Sequence, residues 1–491
     1  TAAVLNQEYE IDSITSTSVY VITAKDTSGA TVTANSSDTG NGGSSVVGAY
    51  QINVGLDVFV SGTGWGSGAW SVGSWGSSSA LSSLNQLRLW SMDSFGEDLI
   101  ANVRAGGIYY WDTSAKTLGT DRAVNISELS GANFTPTVAL QVLVSDIDRH
   151  VIALGADPIN DSATARTGSS DPLLVAFSDQ ENPAEWFPTS TNTAGSLRCS
   201  AGSQIIGGLR ARQETLIWTD VALYSLQFIG APLTFGLNLI NEGVSLIGPN
   251  ASVNTPAGVF WMDKKGFYSY QGAVQAIPCT VRAYVFDNFN EDQAFQVFGF
   301  LNKQFDEVGW FYCSADSTAI DRYVTYNYVE QTWAIGNLSR TAWLDEGLES
   351  FPRAAGYTDG NNYIYSHETG FDADGAPMDN VFVESGDFDL GEGEEFQFIR
   401  RCIPDVKFTG DSGNTQSINF VLKARNYPGD TLTTDQTSSF TSTTTKINTR
   451  ARGRQAVVRF ESDDSAAMGD RLGVGFRVGG TRLDLQPNGR R

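Results

Sequence analysis

An aromatic-x-Asp pattern returns along this chain. It reads Tyr110-Trp111-Asp112, Phe177-Ser178-Asp179, Trp218-Thr219-Asp220 and Trp261-Met262-Asp263. Each copy ends a short apolar run, such as Leu216-Ile217-Trp218, and a second aromatic-rich run follows. The steps from Asp179 to Asp220 and from Asp220 to Asp263 lie near the roughly 40–50 residue period of a β-propeller blade. A single blade cannot bury both its faces. Repetition at this period therefore predicts a succession of packed sheets. The Asp is either a ligand repeated on one face or an acceptor for backbone N–H groups at a turn, and the turn reading is preferred because a structural need recurs at equivalent positions.

Local patterns point the same way. Short runs bounded by Gly, Asn, Asp and Ser recur, and sustained helical periodicity is scarce, which reads as all-β. Ser18-Val19-Tyr20-Val21-Ile22-Thr23 is the clearest early strand. Residues 61–80 hold a Gly-Trp-Ser stretch, read as an irregular loop pinned by tryptophans. From Leu87, six or so blade-like units are expected. Leu99 to Val103 and Ile108 to Trp111 form a hairpin around Arg104-Ala105-Gly106-Gly107. The helical pieces expected are short, Val281 to Phe289 and Asp292 to Val297. Thr431 to Thr449 reads as a long hairpin tip or loop. The expected division is an N-terminal β segment at 1–80, a β-propeller-like domain at 81–381 and a β-sandwich or platform domain at 382–491.

Charge is unevenly placed. The net charge is −23, yet residues 401–491 carry 14 Lys+Arg against 9 Asp+Glu. The first 400 residues carry 18 against 46. Such an acidic body lacks the cationic phosphate contacts of a duplex-binding protein. Arg450, Arg452 and Arg454 form a compact basic cluster that suits phosphates or an acidic neighbouring subunit, and the subunit contact is preferred. There is no run of 18 apolar residues to cross a membrane as a helix. The start at Thr1 suggests processing or further chain upstream.

Catalytic signals are sparse. A Ser-His-Asp triad would need His150 or His367, and His150 in Asp146-Ile147-Asp148-Arg149-His150 reads as a strand-edge residue beside solvated carboxylates. No HExxH, P-loop or GxSxG motif occurs. Glycoside hydrolysis needs only two carboxylates, and nothing singles out a pair among 55 acidic residues. Asp372-Ala373-Asp374-Gly375 resembles the start of a calcium loop but lacks its later ligands, so a plain turn is expected. Cys199, Cys279, Cys313 and Cys402 are spaced as buried thiols, not as a zinc site. The expectation is therefore a protein that is not an enzyme, with no cofactor and no metal.

Several longer stretches are distinctive. They are Phe177 to Trp186 (FSDQENPAEW), Arg212 to Asp220 (RQETLIWTD) with Ala222-Leu223-Tyr224, Trp310 to Ser314 leading to Asp321-Arg322-Tyr323, and Gly480 to Arg491. Together they resemble the tail nozzle proteins of short-tailed bacteriophages, also called tail tubular or DNA-stabilisation hub proteins. The resemblance runs from about Gln86 to the C-terminus. It implies a virion protein of the phage tail, with a propeller and a β platform in each subunit. It implies a homo-oligomeric ring, usually six-fold, that contacts adaptor, portal and other tail proteins. Genomic DNA would be retained in the channel and conducted at ejection without sequence-specific binding, with contact to the host envelope during infection. The competing reading is a glycan-binding tail adhesin or carbohydrate-active propeller.

Overall fold

The computed structural model describes residues 87–489 with short gaps at 118–120, 146–147, 231–232, 346, 348–349, 359–360, 391–393 and 411–415. Before residue 87 it describes parts only, chiefly 11–16, 19–26, 30–33 and 55–58. The Gly-Trp stretch lies outside the described residues. The chain forms two compact units, Thr1–Val54 and Gly55–Arg491. In the first, Ile11–Ser16 pairs antiparallel with Val19–Ile22, so the early strand is found as expected.

The second unit is all-β and begins with a propeller-like succession. Five four-stranded antiparallel sheets follow one another, then a three-stranded sheet. Blade 1 comprises Trp90–Phe95, Asp98–Val103, Ile108–Trp111 and Val124–Asn125. Blade 2 comprises Gln141–Val144, Val151–Leu154, Leu174–Phe177 and Gly195–Arg198. Blade 3 comprises Ile205–Arg210, Thr215–Thr219, Ala222–Gly230 and Thr234–Glu242. Blade 4 comprises Ser252–Thr255, Gly258–Asp263, Gly266–Tyr270 and Val274–Ile277. Blade 5 comprises Phe298–Asn302, Glu307–Tyr312, Arg322–Asn327 and Thr332–Asn337. Blade 6 comprises Ala342–Leu344, Arg353–Thr358 and Asn361–Ser366.

The first strand of each blade touches the first strand of the next, from blade 1 through blade 6. Side chains tie these inner strands together. Asp93 Oδ2 accepts from the Val144 N–H at 2.8 Å, and Gln141 exchanges two hydrogen bonds with the Gly208 backbone at 2.7 and 2.8 Å. The approach is close. A Cβ on Gly299 would stand 2.6 Å from Val253 Cγ2, so glycine is required there for the strands to meet.

Three tryptophans on second strands carry the true repeat. Trp218, Trp261 and Trp310 are each fully buried and occupy corresponding places in blades 3, 4 and 5. They join one apolar core spanning these three blades. The aromatic-x-Asp copies themselves are not equivalent. Those ending at Asp112 and Asp179 close third strands, whereas those ending at Asp220 and Asp263 close second strands. That corrects the expectation of one blade position. Each Asp accepts a backbone N–H, as the turn reading expected, but of the bonds named next only that of Asp112 lies within a turn; the other three come from residues 14 to 18 positions away. Asp112 Oδ1 accepts from Ser114 N, Asp179 Oδ1 from Thr193 N, Asp220 Oδ1 from Ser203 N and Asp263 Oδ2 from Ser245 N, all at 2.7–2.9 Å.

The later segment is a β-sandwich. One sheet orders Phe382–Glu384, Gln455–Ser462, Ser417–Arg425 and Thr433–Thr441, with Phe388–Asp389 also on Gln455–Ser462. The other orders Ile447–Gly453, Gln397–Ile403 and Arg482–Pro487. Leu390, Ile399, Phe420, Phe440, Ile447 and Phe460 are among the residues that fill the space between them. Thr433–Thr441 is thus a full strand paired with Ser417–Arg425, not the long hairpin tip or loop expected across 431–449. Its Ser/Thr residues suit an extended edge because β-branched and short side chains fit the pleat. The helix Arg282–Phe286 and the 3₁₀ segment Glu291–Gln296 fall where short helical pieces were expected. Among the described residues no helix is long and apolar enough to cross a membrane.

Candidate functional site

The predicted basic cluster lies on the sandwich. Strand Ile447–Gly453 alternates buried and exposed at every residue, so Arg450 and Arg452 stand on its outer face. The chain then crosses to the other sheet at Arg454. A Cβ on Gly453 would meet Ala424 Cβ at 3.0 Å, which makes the corner tight. The structure brings aromatic rings to the cluster from elsewhere. The Arg452 guanidinium lies 4.0 Å from the Phe396 ring centroid, and Arg454 stacks on Phe396 and Tyr427 at 4.7 and 5.1 Å. Such stacking holds a guanidinium in place at little desolvation cost. Nearby cations are matched to carboxylates, as Arg401 is to Asp484 at 2.9 Å and Lys423 to Glu384 at 2.6 Å. The Arg450 guanidinium meets no carboxylate among the described residues and points outward.

His150 is not at a solvated edge. It is fully buried, and so is Asp148, which corrects that expectation. His150 Nδ1 lies 2.6 Å from Asp148 Oδ2, and Nε2 lies 2.9 Å from Thr193 Oγ1. Three rings, Phe177, Phe228 and Phe235, surround the imidazole. The order Asp148–His150–Thr193 looks like a triad. Yet Thr193 Oγ1 also accepts from Gln180 N at 3.0 Å and donates to Asp179 Oδ1 at 2.7 Å. A hydroxyl held on three sides is a structural post, with no lone pair directed at a substrate.

A second polar nest was missed by sequence reasoning. It sits where blade 5 meets blade 6. Asn302 and Glu307 are directly opposite each other in the hairpin that joins the first two strands of blade 5. Glu368 follows the last strand of blade 6, and its Oε1 accepts from Asn302 Nδ2 at 3.0 Å. Burial raises Glu307, and the charges of Glu368 and Glu330 raise it further. Packing around the carboxyl raises Glu368 too, although one side of it stays open to solvent. Beside it, burial and the Arg340 charge hold His367 down at about 4. His367 Nε2 accepts from Arg340 Nε at 2.9 Å. Chain separation hid this pair, and only the hairpin register shows that Asn302 and Glu307 share a face.

The other candidates resolve simply. Asp372 to Gly375 is a turn in which Asp372 Oδ1 accepts from Gly375 N at 2.6 Å. Cys199, Cys313 and Cys402 are buried, and burial pushes their thiols up to about 12, while Cys279 is partly buried. Among the described residues no group of three or more His, Cys, Asp or Glu side chains converges as a metal-ligand set. A shallow cleft of another kind lies on blade 2, lined by residues including Pro158, Asn160, Arg166, Phe187, Pro188 and Ser196.

No family model and no curated protein matches the chain. Several solved structures are similar in part. An exo-β-1,3-galactanase from Phanerochaete chrysosporium matches at 10% identity, covering 82% of this chain and 97% of that one, with a TM-score of 0.21. A glycoside hydrolase matches at 10% identity over 80% and 96%, with a TM-score of 0.25. The extracellular domain of a putative one component system from B. thetaiotaomicron matches at 9% identity over 79% and 68%, with a TM-score of 0.20. Enzymes are therefore among the proteins this chain is similar to, and the expectation that it is not an enzyme is corrected accordingly. What stands is an all-β chain of propeller-like blades followed by a sandwich.

Proposed function

We propose that this chain is a structural subunit of a phage tail nozzle, a ring that retains packaged DNA and conducts it at ejection. The observation that carries the reading is the outward pair Arg450 and Arg452 on the sandwich of an otherwise acidic chain. In a cyclic assembly each subunit meets the next through two different patches. A fixed cationic patch and an acidic body on one chain are complementary in that sense, and complementarity of this kind sets register and partner choice. Acidic walls also suit passage of DNA, since carboxylates repel phosphates over roughly 8–10 Å at ordinary salt. The test is sedimentation of the wild type against Arg450→Gln/Arg452→Gln. The reading expects the variant to lose the ring, and unchanged assembly contradicts it.

A second reading is a glycan-binding or carbohydrate-active propeller. The blade 2 cleft supports it, because the Phe187 ring stands there beside Asn160, Arg166 and Ser196. An aromatic face with polar groups at its edge is what a sugar ring requires. Titration with galactan oligosaccharides, followed by intrinsic fluorescence and product analysis, separates the two readings. Saturable binding lost in Phe187→Ala favours the second.

A further inference from the structure

We propose that blade 6 of one copy of this chain packs on blade 1 of a second copy, face to face, as successive blades pack within the chain. The succession of blades has two ends, and the strand registers show which face each end leaves open. In blade 1, Ser91 Oγ accepts from Val142 N at 3.0 Å and Asp93 Oδ2 from Val144 N at 2.8 Å, so both side chains face blade 2. Side chains alternate along a strand, so Trp90 and Met92 face the other way. Leu99, opposite Ser94, and Ala101, opposite Met92, lie on that same outer face. In blade 6, Trp343 faces blade 5, with its ring 4.9 Å from that of Phe300 and its Nε1–H on the Leu301 carbonyl at 2.8 Å. Leu344 is therefore on the outer face. Ile364 joins it there, in line with Ala355 and Ala342.

Both outer faces carry large apolar side chains in contact with water. Trp90 is 41% and Met92 63% exposed, and Leu344 is 69% and Ile364 74% exposed. Inside the succession such residues are covered: Ile152 and Leu154, between blades 2 and 3, are fully buried. Exposed apolar patches of this kind mark interaction sites. The faces themselves fix the occupant. Each is the side of a blade that elsewhere meets another blade. The chain's own two ends do not cover one another, since the side chains on both stay exposed. A second copy supplies at each end the face that is missing. The rim charges agree. Glu97, in the turn after the first strand of blade 1, and Arg353, opposite Leu344, stand at corresponding ends of the two sheets, an acid on one and a base on the other. A contact between two different faces is heterologous, and its repetition builds a ring or an open row of subunits.

The choice of a second copy rests on the ring reading, and the test separates the two. It uses the purified full chain as two variants, Met92→Cys and Leu344→Cys, with a short bis-maleimide. Wild type treated alike gives the background of the native thiols, which are buried or partly buried. The mixture of the two variants should give a covalent dimer, and neither variant alone should. Leu344→Glu/Ile364→Glu should weaken association about tenfold or more in sedimentation, because a buried carboxylate is left unpaired. Its circular dichroism should be unchanged, since both side chains are exposed in the single chain. Sodium sulfate should strengthen this apolar contact while it screens the arginine contact. The proposal is overturned if the mixture gives no dimer, or if either variant links to itself. It is overturned too if the double Cys variant links only within one chain, or if the double Glu variant assembles like the wild type. In that last case a ring formed by the wild type leaves the ring reading standing. A mixed dimer from a chain that builds no ring keeps this contact and removes the ring reading.

Discussion

The indole Nε1–H of Trp310 donates to the carbonyl of Ala251, 2.8 Å away, and so ties the second strand of blade 5 to the chain entering blade 4. Trp261 also donates to a backbone carbonyl, that of Ser245 in the chain leading into its own blade, at 3.1 Å. Trp218, equally buried, has no acceptor for its Nε1–H among the described residues. Trp→Phe substitution removes similar volume at all three sites. At Trp261 it strands the Ser245 carbonyl, whereas at Trp310 it removes one of two donors to the Ala251 carbonyl, which also accepts from Met262 N at 3.2 Å. Trp261→Phe should therefore lose about 1–3 kcal/mol more stability than Trp218→Phe, and Trp310→Phe about 0.5–1.5 kcal/mol more, read by urea unfolding.

Thr193 anchors the buried relay in blade 2. Thr193→Val keeps the shape but removes the hydroxyl shared by His150, Asp179 and Gln180. The expected loss is about 1–3 kcal/mol, because buried polar partners are left unpaired. Thr193→Ser should restore most of it, and chemical denaturation of the pair makes the comparison.

Much of this fold was legible where local chemistry decides it. The blade 1 hairpin follows from Gly106-Gly107 between two apolar runs, and Asp98–Val103 and Ile108–Trp111 form there. The repeat was harder to read. Trp310 belongs with Trp218 and Trp261, but Phe311-Tyr312 follow it in place of an Asp. Asp321, at the far end of the connection to the next strand, makes the turn bond by accepting from Ser314 N at 2.8 Å. The pattern of residues was conserved in purpose but displaced in sequence. The strand Thr433–Thr441 was missed because exposed Ser and Thr read as loop until a neighbour supplies hydrogen bonds. The acidic nest was invisible because Glu368 reaches Asn302 from a different blade.

His367 sets a pH dependence. Its folded value is lowered to about 4 from an ordinary 6.5. The unfolded chain therefore binds the proton more readily in that window. The stability His367 contributes is complete above about 6.5 and is lost as pH falls toward 4. Thermal melts across this range in EDTA, compared with His367→Gln, should show a shallower fall in the variant.

The Arg450 and Arg452 pair predicts a salt dependence. Assembly through these guanidinium groups should weaken as salt rises, because screening shortens the reach of exposed charge to about 3 Å at 1 M. Arg450→Gln/Arg452→Gln should assemble poorly at low salt and lose most of that dependence. The chain itself should remain folded, since both side chains lie on the outer face of their strand. Circular dichroism checks the fold and sedimentation velocity checks the assembly.

The most direct test of the ring proposal is the mass and symmetry of the native assembly, by imaging of particles together with mass measurement. The proposal predicts a closed ring of six 52.9 kDa chains around a central channel, alone or on an adaptor ring. A chain that stays monomeric or trimeric at low salt, with adaptor present, would contradict it.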